Sequence, residues 1–210
     1  MNSALQYIKN KYNLDYNIES PITLAPFHRY HQLVDLFREL EFIKGAEIGT
    51  ARAVYAEILC KGIPDLKLYC VDPWLAYDEY DERWAQEQIE MDRIFEEAKN
   101  KLSNYNCEII KKTSMEASKD FKPNSLDFVF IDGNHDFEYV VNDIIAWMKI
   151  VKPGGIISGH DFTTNVVKGT HFQIPYAVRA YAQAYDIHPW FVLHHSGTVD
   201  CWMWVKPDKT

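Results

Sequence analysis

The chain has 210 residues, with 30 acidic against 22 basic side chains and a formal net charge of −8. That length fits one domain, 1–210, with ample chain to bury a core, and the acidic balance without a Lys/Arg cluster excludes a nucleic-acid partner, because phosphate binding rests on grouped cations. The opening MNSALQYIKNKYN has no apolar targeting stretch and no run of about 18 apolar residues occurs, so a cytoplasmic location without a membrane partner is expected.

In chain order, HQLVDLFREL (31–40) reads as a helix with Leu33, Leu36, Phe37 and Leu40 facing inward. It closes a helical extension, 1–40, that packs beside a cofactor-binding core, 41–206, or caps its site. FIKGAEIG, LKLYCVD, CEIIKK, LDFVFID and GIISGHD then follow as short runs rich in Val, Ile, Phe and Tyr, each ending at a turn residue or a charge. Between them lie helical patterns. Met91, Ile94, Phe95, Ala98 and Leu102 form one apolar stripe, and Phe137, Val140, Val141, Ile144, Ile145, Met148 and Val151 form another, stopped by ProGlyGly at 153–155. Strand–helix alternation demands parallel strands with right-handed crossovers. HPWFVLHH and VDCWMWV are separated only by SerGlyThr, too short for a crossover helix, so they predict an antiparallel hairpin. The expected fold is a doubly wound α/β sheet, mainly parallel, with an antiparallel C-terminal strand. Cys60, Cys70, Cys107 and Cys201 lack close spacing and read as buried free thiols.

In such sheets ligands bind outside the carboxyl ends of the strands, so the residues just past each run carry the function. Glu47, Gly49 and Thr50 end the first run. One glycine, without the second and third of a dinucleotide fingerprint, suits a ligand without phosphate, and Glu47 suits a positive charge. Asp72, about 20 residues further on, is placed to accept ribose hydroxyls. A nucleoside with a cation and no phosphate points to S-adenosylmethionine. Trp74 reads either as packing against its adenine or ribose, or as a core or lid aromatic. Asp132 follows the fourth run and His160 and Asp161 follow the fifth, so the three can converge on a divalent ion beside the methyl donor. Without an ion, His135 is the natural general base, with Asp136 or Asp132 orienting it, and either His135 or Asp136 also suits a helix cap.

Taken together, EIGTARA, YCVDPW, SLDFVFIDGNHDFEYVVNDI, VKPGGIISGHDF and CWMWVK resemble the class I S-adenosylmethionine-dependent methyltransferases, above all the branch of small metal-dependent O-methyltransferases. The likeness spans Phe42 to Lys206. It implies a seven-stranded sheet with a reversed last strand, Glu47 and Gly49 at the methionine end of the cofactor, Asp72 on its ribose, and Ser114 with Met115 and Glu116 at its adenine. It also implies a metal held by Asp132, His160 and Asp161. His160 stands where the family carries Asp, which moves the expected ion from magnesium toward manganese or another transition metal. Ala53 replaces a glycine common in the motif and should tighten the loop.

The expected activity is transfer of a methyl group to a small-molecule hydroxyl, by resemblance that of a sugar or natural product, with N-methylation and self-association left open. A non-catalytic S-adenosylmethionine-binding module is the second reading. A nicotinamide oxidoreductase is disfavoured by the missing glycines and the terminal hairpin. Further candidates are His171 and Phe172 beside the acceptor and a lid over 73–84. His28 and His31, near the start of the first helix, read either as reaching the substrate or, by preference, as a solvated helix face, and His194 and His195 as neighbours pointing to opposite sides.

Overall fold

The computed structural model describes residues 3–208 apart from 16, 18, 77–86, 165, 168 and 169. Its strands are β1 (Ile22–Leu24), β2 (Lys44–Ile48), β3 (Lys67–Val71), β4 (Cys107–Ile110), β5 (Leu126–Ile131), β6 (Val151–Gly159), β7 (Val166–Val167), β8 (Thr170–His171), β9 (Trp190–Leu193) and β10 (Cys201–Val205). The helices are α1 (Ser3–Tyr12), α2 (Val34–Glu39, led in by a π-turn over Arg29–Leu33), α3 (Val54–Gly62), α4 (Gln88–Leu102), α5 (Ser114–Ala117), α6 (Phe137–Ile150) and α7 (Ile174–Ala184). One sheet of eight strands runs β1-β9-β10-β6-β5-β2-β3-β4, and β7 and β8 form a separate small hairpin. Within the large sheet only β10 is antiparallel to its neighbours. This is the expected doubly wound architecture with its reversed C-terminal strand. An eighth strand joins it, because the segment before residue 40 contributes β1, which pairs parallel with β9.

The period of two along each strand sorts the core into two layers. Phe128 and Phe130 of β5, with Cys201 and Met203 of β10, face α1 to α4, whereas Val129, Ile131, Trp202 and Trp204 face α6 and α7. Position 45 must be glycine for this packing: a Cβ there would lie 2.2 Å from the Phe128 ring. The ring in turn stacks on Phe37 with centroids 4.1 Å apart. Two expected details shift. The buried face of α6 is Val140, Ile144, Trp147 and Met148, while Phe137 and Ile145 are exposed, because Trp147 wedges against Phe121 and rotates the stripe toward itself. Strand β6 begins at Val151, ahead of ProGlyGly, and those residues form an irregularity that moves the β5 partner from Leu126↔Val151 to Phe128↔Ile156.

At the switch point between β2 and β5 the hydrogen-bond ladder continues past the strands. Gly49 N donates to Val71 O (2.8 Å), Asp132 N to Ile48 O (2.8 Å) and His160 N to Ile131 O (3.0 Å). The residues after β2, β3, β5 and β6 are thereby fixed along one edge. Phe128→Ala, which empties the fully buried centre of this sheet, should cost about 3–5 kcal/mol in denaturant unfolding.

Candidate active site

The crevice opens beneath Gly49, whose φ is +85°. A Cβ there would sit 2.1 Å from the carbonyl oxygen of Asp132, so the β2 and β5 turns touch backbone to backbone. Only glycine fits that approach and that φ. Ala51 and Ala53 follow at φ 44° and 55°, so alanine occupies left-handed positions in the turn where glycine is easier. Glu47 is 2% exposed, and its Oε2 finds no hydrogen-bond donor. Burial, and next the charge of Asp132, push its carboxyl well above the usual range. Asp72 is buried too, with Oδ2 accepting from Ala51 N at 3.0 Å and Oδ1 from Trp74 N at 2.7 Å. Burial raises its pKa, and the two amides oppose that rise. A carboxylate offers roughly four acceptor sites, so two remain for a ligand.

Trp74 sits on the core side of the choice left open by sequence. It is fully buried, its Nε1 donates to Ala51 O at 3.1 Å, and its ring packs on Phe95 at 4.9 Å, so it braces the turn and presents no free face to an adenine. Thr50 is buried behind the turn. Ser114 starts α5 and is held from behind: its hydroxyl donates to Asp143 Oδ1 and accepts from Trp147 Nε1 at 2.9 Å. Burial pushes Asp143 up to about 6. Met115, 43% exposed, is the apolar surface beside it. Glu116 closes a capping box with Thr113, a local duty that takes up its carboxylate.

On the other side of Gly49 stands a cluster around Asp161. Its Oδ2 meets His135 Nε2 at 3.1 Å and its Oδ1 meets His160 Nδ1 at 3.0 Å, while His160 Nδ1 also lies 3.5 Å from Asp132 Oδ1. Burial alone would raise Asp161, but the His135 and His160 contacts hold it well below the usual carboxylate range. His160 is the mirror case: burial lowers it, and Asp132 and Asp161 outweigh burial and push it up to about 9. It is therefore a cation at neutral pH. In the ion-free protein His160 is thus held by Asp132 and Asp161, the two residues expected to ligate a metal with it. The ligand atoms that converge are those of Asp132, His135 and Asp161, all within 4.8 Å of one another. They line a cavity of about 10 Å³ with Asn134 and Trp202, room for one water-sized occupant.

The orienting partner of His135 is likewise Asp161, in place of the expected Asp136 or Asp132. Asp136 is exposed, and although it stands at the N-cap of α6 its side chain makes no capping bond. Gln173 Oε1 accepts from Phe137 N instead. Phe172 packs against His135 with ring centroids 4.7 Å apart and the planes tilted by 40°, whereas the side chain of His171 and most of the 73–84 segment lie outside the described residues. Sequence reasoning missed Arg29, Asp143 and Trp202. Asp143 and Trp202 lie within quoted motifs but take their places through contacts with distant segments, and Arg29, outside every motif, is brought near Asp132 only by the fold.

A family model described as a methyltransferase domain matches residues 46–162. An uncharacterized protein of Acanthamoeba polyphaga mimivirus is 26% identical over 140 residues, 65% of this chain and 58% of that protein, so the matched length is little over half of that relative. Among solved structures, an O-methyltransferase from Bacillus cereus in complex with SAH superposes with a TM-score of 0.59 at 17% identity, over 95% of this chain and 86% of that one. A Klebsiella pneumoniae protein described as an O-methyltransferase gives 0.60 at 14% identity, over 98% and 91%. Likeness at these identities shows the fold.

The His160 cation has a measurable signature. Its folded pKa exceeds the ordinary 6.5, so its contribution is complete below about 6.5 and is lost as pH climbs through about 9. In ion-free protein, unfolding free energy should fall by up to about 3 kcal/mol across that window, and His160→Gln should flatten the fall in urea titrations at fixed pH values.

Proposed function

The chain belongs to the methyltransferase domain family, and from that membership we propose that it moves the methyl group of S-adenosylmethionine onto an oxygen of a small-molecule acceptor. The observation that carries the reading is the buried, unpartnered carboxylate oxygen of Glu47 beside a turn that only glycine can make. An orphaned buried acceptor costs about 1–3 kcal/mol, and an ammonium group at the amino-acid end of the donor removes that cost. Asp72 keeps lone pairs free toward a ribose diol, and Met115 with Ser114 borders a flat apolar ring. When bound, the donor supplies an electrophilic methyl on a sulfonium, and the protein's share of the rate is alignment of the acceptor oxygen.

The remaining work falls to the residues around Asp161. Its Oδ2 fixes the His135 imidazole and stabilises the imidazolium form, as a proton acceptor requires. His160 neutralises part of the charge on Asp132 and Asp161, so the two carboxylates sit close without full repulsion. Two carboxylates and one imidazole around a water-sized cavity also fit a manganese-like or other transition-metal ion better than magnesium. A divalent ion held there would lower the pKa of the acceptor hydroxyl. A sugar or natural-product hydroxyl remains the proposed acceptor.

Two measurements test this. Asp72→Ala should weaken binding of S-adenosylhomocysteine by at least about tenfold in calorimetry, the loss expected when a hydrogen bond to a charged group disappears. An unchanged affinity would defeat the ribose assignment. For the ion, manganese(II) titrated into chelator-treated protein should bind at one site, and Asp161→Asn should weaken it by about tenfold or more. Absence of binding to the wild type removes the ion and leaves the His135–Asp161 pair as the base.

A further inference from the structure

We propose that Arg29, with the imidazoles of His28 and His195, forms an anion pocket that receives a carboxylate or similar oxyanion carried by the acceptor. The inference rests on the methyl-transfer reading and names the class of molecule that accepts the methyl group.

Arg29 is a half-buried cation with little to hold. Its guanidinium lies over the rings of Tyr30 and Tyr55, with Cζ 4.8 and 5.8 Å from their centroids. Nη2 donates to the Tyr30 hydroxyl at 3.0 Å, and Nε is buried with no acceptor. Burial works against its charge, but Asp132 and then Cys201 and Tyr30 outweigh burial and hold its pKa above the ordinary value, although the carboxylate of Asp132 makes its contact with His160. Among the described residues Arg29 makes no ion pair. A buried charge left without a counter-ion is costly, and a planar fork of donors suits a carboxylate.

The imidazoles complete the pocket. The parallel pairing of β1 with β9 is continued by Phe27 N donating to His194 O (2.8 Å) and His194 N to Leu24 O (2.9 Å). That pairing carries His28 to His195, ring centroids 4.9 Å apart and edge-on. His28 Nδ1 accepts from Tyr30 N at 3.1 Å, so the neutral ring holds its proton on Nε2, a donor aimed elsewhere. His195 Nδ1 is buried without a partner. Burial, then His195, His31, Arg29 and His160, all disfavour a charge on His28, so its ring is held neutral and serves as a hydrogen-bonding group beside the Arg29 cation. The pocket stands out on a chain of net charge −8, whose general field repels anions.

Placement favours the acceptor as the source of that anion. Residues 28, 29 and 195 all lie outside the 46–162 match, although Arg29 is near enough to Glu47 and Asp132 to act on both electrostatically. The donor's own carboxylate is the other source of the same chemistry, and the experiment separates the two.

Wild-type protein saturated with S-adenosylhomocysteine is titrated calorimetrically with matched pairs that differ in a carboxylate: gallate against pyrogallol, salicylate against salicyl alcohol, glycerate against glycerol. At least one carboxylate should bind about tenfold more tightly than its neutral partner, a difference of about 1.4 kcal/mol. Arg29→Gln should abolish the preference with S-adenosylhomocysteine affinity unchanged, which also shows that the variant folds. Should that variant fail to fold, His195→Gln is the readout, and it should reduce the preference several-fold. No preference in the wild type, no carboxylate binding, or a preference that survives these substitutions overturns the proposal alone. Loss of S-adenosylhomocysteine affinity in a folded Arg29→Gln protein overturns the acceptor assignment and gives the anion to the donor. Failure of the wild type to bind S-adenosylhomocysteine at all is a separate result, and it removes the methyl-transfer reading along with the pocket.

Discussion

The site depends on one steric fact, the contact between the turn after β2 and the turn after β5. With a Cβ at position 49 only 2.1 Å from the Asp132 carbonyl, any side chain would force the two strand ends apart. Held together, they bring the Glu47 carboxyl and the Asp132 carboxylate into one crevice, where the Asp132 charge adds to burial in raising the cost of charging Glu47. A cationic ligand at the Glu47 side and a cation at the Asp132 side relieve the same strain. The protein supplies the second of these itself, through protonated His160.

Asp161 is the hub on that second side. It holds φ at +53°, an unusual backbone conformation for a residue other than glycine, and from there one carboxylate reaches two imidazoles. Such strain costs of order 1–3 kcal/mol and persists where the surroundings impose it. Here the surroundings are two strand ends and a hydrogen bond from Phe162 N to Asp200 O at 2.9 Å, which ties the loop to the start of β10. The reversed strand β10 is therefore more than an edge feature. It also brings Trp202 under Gly159 and into the wall of the small cavity.

Much of the donor side was legible in the sequence because it is written in contiguous runs. Apolar runs ending in Glu47-Ile48-Gly49 and Val71-Asp72 gave the strands and the edge at which their last residues stand, the edge where parallel sheets take their ligands. The reversed strand was legible from a loop too short to cross the sheet. What could not be read was rotation and pairing at long range. Trp147 turned the buried stripe of α6. His135 and His160, from turns after different strands, both meet the carboxylate of Asp161, a convergence that spacing along the chain does not specify. Cys60 and Cys107, far apart in sequence, approach to 3.3 Å as free thiols on neighbouring elements.

The same distinction bears on how specificity is built. In the proposed function, donor recognition occupies the ends of β2, β3 and α5, which the shared core holds in place whatever the acceptor. The proposed acceptor recognition draws on the segment around Arg29 and on the hairpin between β9 and β10, which meet through the three-residue strand β1, the Phe27–His194 hydrogen bond and the His28–His195 ring contact. Short edge pairings of this kind contribute little to the core, so their residues can change without disturbing the donor crevice. A half-buried arginine kept at that edge without a counter-ion is poorly explained by stability, since a neutral side chain of similar size there would avoid the desolvation cost. Its position makes sense when the counter-ion arrives with the molecule to be methylated.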